Sequence, residues 1–170
     1  APNLTFKNSP NTDGSKNLGK MVLQMQNEGK DDTKFSVFTS GKLILFDKKL
    51  LPSYYTNFKK NYPAFEFAYY YGLNYGHNIT SGSDFENGWY LPSSSELNDI
   101  YQANKTDSVI ENALGVTGGN KFDGSYYWSS SQYASFNKYA CFLSFGDGKW
   151  YANDKGHDGG YYVCAVRAFN

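Results

Sequence analysis

The sequence predicts an α+β fold built round one hydrophobic core. Three observations point there. Apolar and alternating runs at residues 35–39 and 42–46 flank Ser40-Gly41, which is a hairpin pattern. Two helix-opening signals follow, Pro63 and then Ser93 with Glu96. From Tyr126 to Phe169 the chain is aromatic and strand-like at both ends, with a middle rich in Gly, Asn, Asp and Ser that has no regular period. A chain of 170 residues supplies one proper core and not a second, so residues 1–62 are read as a lead-in with strands in the same domain as residues 63–170.

Taken in order, residues 1–17 are rich in Asn, Ser, Pro and Lys, with few anchors, and predict an extended lead-in. Residues 21–26 suit a short strand, and residues 48–62 a loop with Tyr54, Tyr55 and Phe58 clustered. Pro63 pre-sets the first turn of a helix. Phe65, Ala68, Tyr69 and Gly72 then share one face of it, and Gly72 and Gly76 mark its end. Residues 80–87 form a loop. Gly88 to Pro92 read as a short buried segment running into a capping box of Ser93 and Glu96. The helix behind it turns Leu97, Ile100 and Tyr101 inward. Ser108 and Glu111 predict a second capping box, for a short helix closing at Gly115. Residues 139–145 and 149–151 flank Gly146-Asp147-Gly148, a second hairpin. The expected frame is Trp89, Leu97, Ile100, Trp128, Phe142, Val163, Val166 and Phe169.

Composition excludes several classes. Lys plus Arg and Asp plus Glu are both 16, and the pI is about 6.9, without the basic excess that nucleic acid or an anionic membrane demands. No apolar run is long enough to span a bilayer. No secretory leader is expected at the start of the sequence, although a mature or trimmed chain would have lost one. Aromatic residues are 19% of the chain, 16 of them Tyr, more than a small core consumes. A tyrosine ring offers a rigid face and a polar tip, which suits a recognition surface as well as strand padding. Cys141 and Cys164 leave a bridge open, since one pair does not define a disulfide framework. His77 and His157 are the only histidines, and neither has metal-ligand or catalytic spacing. His157 beside Asp158 reads as a solvated turn before an acid–base pair. No cofactor is implied.

Several landmarks occur in a fixed order: Trp89-Tyr90-Leu91-Pro92-Ser93 with Glu96-Leu97, Tyr127 to Ser131, Phe145 to Gly148, and Val163 to Phe169. In this the chain resembles a bacterial C-type-lectin-like family that includes the Lcl C-terminal domain and the variable proteins of diversity-generating retroelements, those of Treponema among them. The resemblance covers about residues 64–169. It implies a C-type-lectin-like fold, with two main helices on a small twisted antiparallel sheet, neighbouring termini and long irregular C-terminal loops.

The same resemblance implies a non-catalytic, monomeric domain at the cell surface or outside the cell, lipid-anchored through an upstream segment, that binds a protein or carbohydrate. In the retroelement members, copying errors at adenines of AAY codons diversify chosen positions, and such codons never become Lys, Trp, Glu, Gln or Met. Residues 151–154 and 156–161 contain only permitted types, whereas Lys138, Lys149, Trp150 and Lys155 would be fixed. Surface loops are built from the permitted types in any case. Carried over residue by residue, the ligand-facing set is Ser135, Phe136, Asn137, Tyr139, Cys141, Leu143, Asp147, Tyr151, Asn153, Asp154, His157, Asp158 and Tyr161. Alternation would put residues 139, 141 and 143 on one outward face and Phe142 in the core. Two other readings stay open: calcium-dependent sugar binding through Asn153, Asp154 and Asp158, and a formylglycine-generating type of oxidase using the two cysteines.

Overall fold

The computed structural model describes residues 13–15, 17–18, 62–72, 88–117, 120–136, 138–156 and 160–167. The strand expected at residues 21–26, the first hairpin, the loops at residues 48–61 and 80–87, and Phe169 lie outside them. Among the described residues from 62 onward, three helices and five strands follow in order: α1 Pro63–Tyr69, β1 Trp89–Tyr90, α2 Ser94–Asp107, α3 Val109–Thr117, β2 Tyr126–Gln132, β3 Tyr139–Ser144, β4 Trp150–Asp154 and β5 Val166–Arg167. The fold is therefore α+β, with two antiparallel sheets ordered β1-β5 and β2-β3-β4.

Pro63 stands at the first position of α1, as its fixed φ favours. Ala68 and Tyr69 are buried as the helical period requires. The third buried position is Glu66, at 2% exposure, rather than Phe65. The α2 terminus is the strongest local agreement between sequence and structure. The Ser93 hydroxyl accepts from the Glu96 amide at 3.3 Å, and the Glu96 carboxylate accepts from the Ser93 amide at 2.8 Å. The second expected capping box does not form. Ser108 adopts a left-handed φ of 51° and closes the C-terminus of α2, its N–H donating to the Asn104 carbonyl. Glu111 accepts instead from the Asn104 amide group at 3.3 Å, and α3 runs past Gly115 to Thr117.

The lead-in is also corrected. Gly14, Ser15, Asn17 and Leu18 have helical backbone, and Asn17 and Leu18 are buried at 0% and 2% exposure. The Gly14 N–H donates to Glu96 Oε2 at 2.8 Å, and Asn17 Nδ2 donates to Ser130 Oγ at 2.9 Å. A side chain at Gly14 would run into the Leu91 carbonyl and the Ser93 amide, so only glycine permits this approach.

The core joins α2 to the three-stranded sheet through Leu97, Tyr101, Tyr127, Leu143 and Phe145, with Ile100, Phe122 and Cys164 packed against them. Phe122 stacks on Phe145 at 4.5 Å between ring centroids, and Tyr101 meets Phe145 edge-on at 5.3 Å. Of the expected frame, Leu97 and Phe142 are buried, while Trp89, Ile100, Trp128, Val163 and Val166 are half-buried. Buried serines in β2 fasten the layers. The Ser130 N–H donates to the Pro92 carbonyl at 2.7 Å, Ser131 Oγ accepts from the Ser94 N–H at 2.9 Å, and Ser129 Oγ donates to the Cys141 carbonyl at 2.9 Å.

Two outcomes test this frame. Glu96→Ala would strand the Gly14 and Ser93 amides and the Tyr90 hydroxyl, which donates to Oε1 at 2.9 Å. A loss of about 2–4 kcal/mol is expected in denaturant melts, with Glu96→Gln losing less. The second concerns Lys155, whose Nζ donates to Gln132 Oε1 at 2.8 Å. Burial lowers its pKa to about 8, outweighing the nearby Asp154. The unfolded chain then holds more protons above that pH, so stability should rise from about pH 8 towards the ordinary lysine value of 10.5. Lys155→Met should flatten that rise in pH-dependent melts.

Candidate functional site

The β3–β4 hairpin forms as expected, and its turn is held by side chains. Gly148 has φ +71° and lies so close to Tyr101 that a Cβ would come within 2.8 Å of the ring. Asp147 accepts from the Lys149 amide at 3.2 Å and from the Tyr151 hydroxyl at 3.2 Å. Hydrogen bonding to Ser144 first, then to Lys149 and Tyr151, holds its carboxyl at about 2, against some desolvation. Asp147 thus has a structural task in the turn.

Strand pairing fixes which side chains share a face. Leu143 lies opposite both Tyr127 and Trp150, and Cys141 lies opposite Ala152. Phe142 lies opposite Trp128 and Tyr151 on the other face. The expected direction of this alternation is therefore reversed at its inner end. Leu143, expected to face a ligand, is 0% exposed and packs in the core beneath α2. Phe142 is buried on the opposite side, under rings rather than helix: Tyr161 at 4.5 Å, Trp128 and Tyr126 at 5.4 Å, and Tyr151 at 5.6 Å.

Beyond Leu143 the α2-facing side of the sheet opens into a groove of about 910 Å³. One wall is the first turn of α2, with Ser94, Ser95 and Asn98. The floor is the sheet face of Cys141, Tyr139 and Ala152, with Trp150 paired beside the buried Leu143; the β2–β3 connection adds Tyr133 and Phe136, and Tyr151 borders the groove. Phe136 is 62% exposed, and Tyr133, Tyr139 and Trp150 are 39%, 37% and 38% exposed. Tyr133 and Phe136 are nearly parallel at 13° with centroids 6.4 Å apart, and Phe136 lies 5.7 Å from Tyr139. None of the described lining residues carries a charge.

The expected ligand-facing set divides between surfaces. Phe136, Tyr139 and Cys141 meet in the groove, and Tyr151 borders it. Ser135 is exposed in the β2–β3 connection beside Phe136. Asn153 and Tyr161 belong to the opposite aromatic face, where Asn153 Nδ2 donates to the Tyr161 hydroxyl at 3.2 Å. Asp154 shapes the turn after β4, its Oδ1 accepting from the Gly156 amide at 2.8 Å. Asn137, His157 and Asp158 lie outside the described residues. Missing from the expected set are Tyr133, Trp150, Ala152, Ser94, Ser95 and Asn98. Trp150 fails the adenine-codon rule, and nothing in the sequence ties the start of α2 to the far end of the sheet.

Both cysteines are free thiols. Cys141 lies in the groove, whereas Cys164 lines a separate cavity of about 1020 Å³ beside Phe67, Leu114 and Tyr162. Burial pushes the Cys141 thiol up and the Cys164 thiol to about 12. An activated nucleophile requires the opposite shift. Among the described residues no three His, Cys, Asp or Glu side chains gather into a metal-ligating group. No described helix is long and apolar enough to cross a membrane.

Compared with known proteins, the chain matches the Lcl C-terminal domain over residues 47–167. No curated protein and no solved structure matches it. Because the match covers well over half of the 170 residues, the chain belongs to the Lcl C-terminal domain family.

Proposed function

We propose that this chain is a non-catalytic ligand-binding domain displayed at the cell surface, and that it binds through the groove between α2 and the β3–β4 sheet. The observation that carries the reading is the set of partly exposed rings of Tyr133, Phe136, Tyr139 and Trp150 round one concavity. Exposed rings on a monomer's surface are used where a partner covers them. The raised cysteine pKa values run against an activated thiolate at either position. Membership of the Lcl C-terminal domain family supports a surface setting.

The finer reading is an adhesin-like or lipoprotein variable domain of C-type-lectin-like fold, of the kind that diversity-generating retroelements alter in Treponema. The closing of the C-terminal strand β5 on β1 supports that fold. Phe136, Tyr139, Cys141 and Tyr151 are all of types that the adenine-codon rule permits, and each borders the groove.

The reading predicts unequal tolerance to change. Randomising Ser135, Phe136 and Tyr139 together should leave most variants folded, with melting temperatures within a few degrees of the parent. Randomising Leu97, Tyr127 and Leu143 should abolish folding in nearly all clones, since each truncation costs about 2–5 kcal/mol. Equal losses from the two libraries, read by protease resistance on yeast, would sink the displayed-face reading. For diversification itself, the encoding locus should hold a reverse transcriptase gene and a near-copy of the C-terminal coding stretch differing at adenines.

A further inference from the structure

We infer that the groove takes a neutral oligosaccharide and holds it without calcium. This rests on the binding role proposed above and adds the ligand class. Three features of the groove carry it. First, its described lining has no Lys, Arg, Asp or Glu, so a sulfated polymer or an acidic or basic peptide finds no counter-charge there. Among the described lining residues there is likewise no carboxylate to hold a calcium ion against a sugar.

Second, the rings form a run of platforms. Tyr133, Phe136 and Tyr139 follow one another at 6.4 and 5.7 Å between centroids, with Trp150 on the adjoining strand. The face of an aromatic ring is electron-rich, and the C–H hydrogens on one side of a pyranose are weakly positive. A sugar therefore lays its apolar face on the ring and turns its hydroxyls sideways. Third, hydroxyl and amide side chains line the same groove as the rings, from Ser94, Ser95 and Asn98 on α2. They can donate to and accept from sugar hydroxyls without any charge.

Size points the same way. A volume of about 910 Å³ falls within the roughly 300–1,000 Å³ of small-ligand sites. A protein partner usually covers about 800 Å² per side and is anchored by Arg together with Trp and Tyr, and no Arg is among the described residues lining this groove.

The test is calorimetric titration of the folded chain, in EDTA, with cellohexaose, mannohexaose and chitohexaose, and with heparin as the charged comparison. At least one neutral hexasaccharide should bind, heparin should not compete, and Phe136→Ala or Trp150→Ala should weaken binding at least tenfold. Phe136 is exposed in a connection, so its variant keeps the experiment readable if Trp150→Ala perturbs β4. Absence of binding by all three neutral sugars, or binding unchanged in Phe136→Ala, would overturn the inference. A parallel selection of displayed random peptides separates the two failures. Peptides that bind the parent and not Phe136→Ala would overturn the sugar assignment and leave the groove as the binding face. Sugars and peptides that bind both proteins equally would remove the groove as well.

Discussion

One carboxylate sits where three parts of this chain meet. Glu96 caps its own helix through Ser93, accepts from the Gly14 amide in the N-terminal part of the chain, and accepts from the Tyr90 hydroxyl in β1. Each donor belongs to a buried residue and would otherwise lack an acceptor, and such groups are expensive to leave unsatisfied. The same carboxylate and burial together raise the Tyr90 hydroxyl pKa, burial being the larger cause. The start of α2 is thus fixed in position before any apolar packing is considered. The adjoining strand segment is fixed too, because Ser130 and Ser131 bond to Pro92 and Ser94.

Fixing the start of α2 decides where the helix stops covering the sheet. Leu143 lies under the helix at 0% exposure, Cys141 is half-buried, and Tyr139 is 37% exposed. All three share one face of β3. The groove is therefore the uncovered continuation of the core face. Its apolar floor and its rigidity have one origin, since the strand that supports Tyr139 is the strand that holds Leu143. A site on a strand braced in this way is positioned better than one on free loops.

Much of the frame was legible in the sequence because its signals are local. Pro63, the Ser93–Glu96 box and the turn at Gly146-Asp147-Gly148 each specify backbone within a few residues, and each forms. The failures are non-local. Ser108 and Glu111 have capping-box spacing, but Ser108 is taken up by the end of α2. Gly14 to Leu18 look featureless until Glu96 and Ser130, far along the chain, meet them. Alternation in β3 was readable, but period two does not say which face is covered. That choice rests on α2 lying over Leu143 while rings from β2, β4 and residue 161 cover Phe142.

The same distinction explains why the site was half legible. Residues of one strand or connection, such as Phe136, Tyr139 and Cys141, could be grouped from sequence alone. Ser94, Ser95 and Asn98 join them only through the packing of α2 on the sheet, and they supply the polar wall that the rings lack. Tyr151 and Tyr161, grouped with the others by sequence, pack on Phe142 on the reverse side of the sheet, Tyr151 bordering the groove as well. Two aromatic surfaces with different tasks result: one closes over a core residue, and the other is left open. The closed one holds the strand on which the open one depends, so aromatic content by itself does not mark the binding face. What marks it is that, among the described residues, no helix covers Tyr139 as α2 covers Leu143.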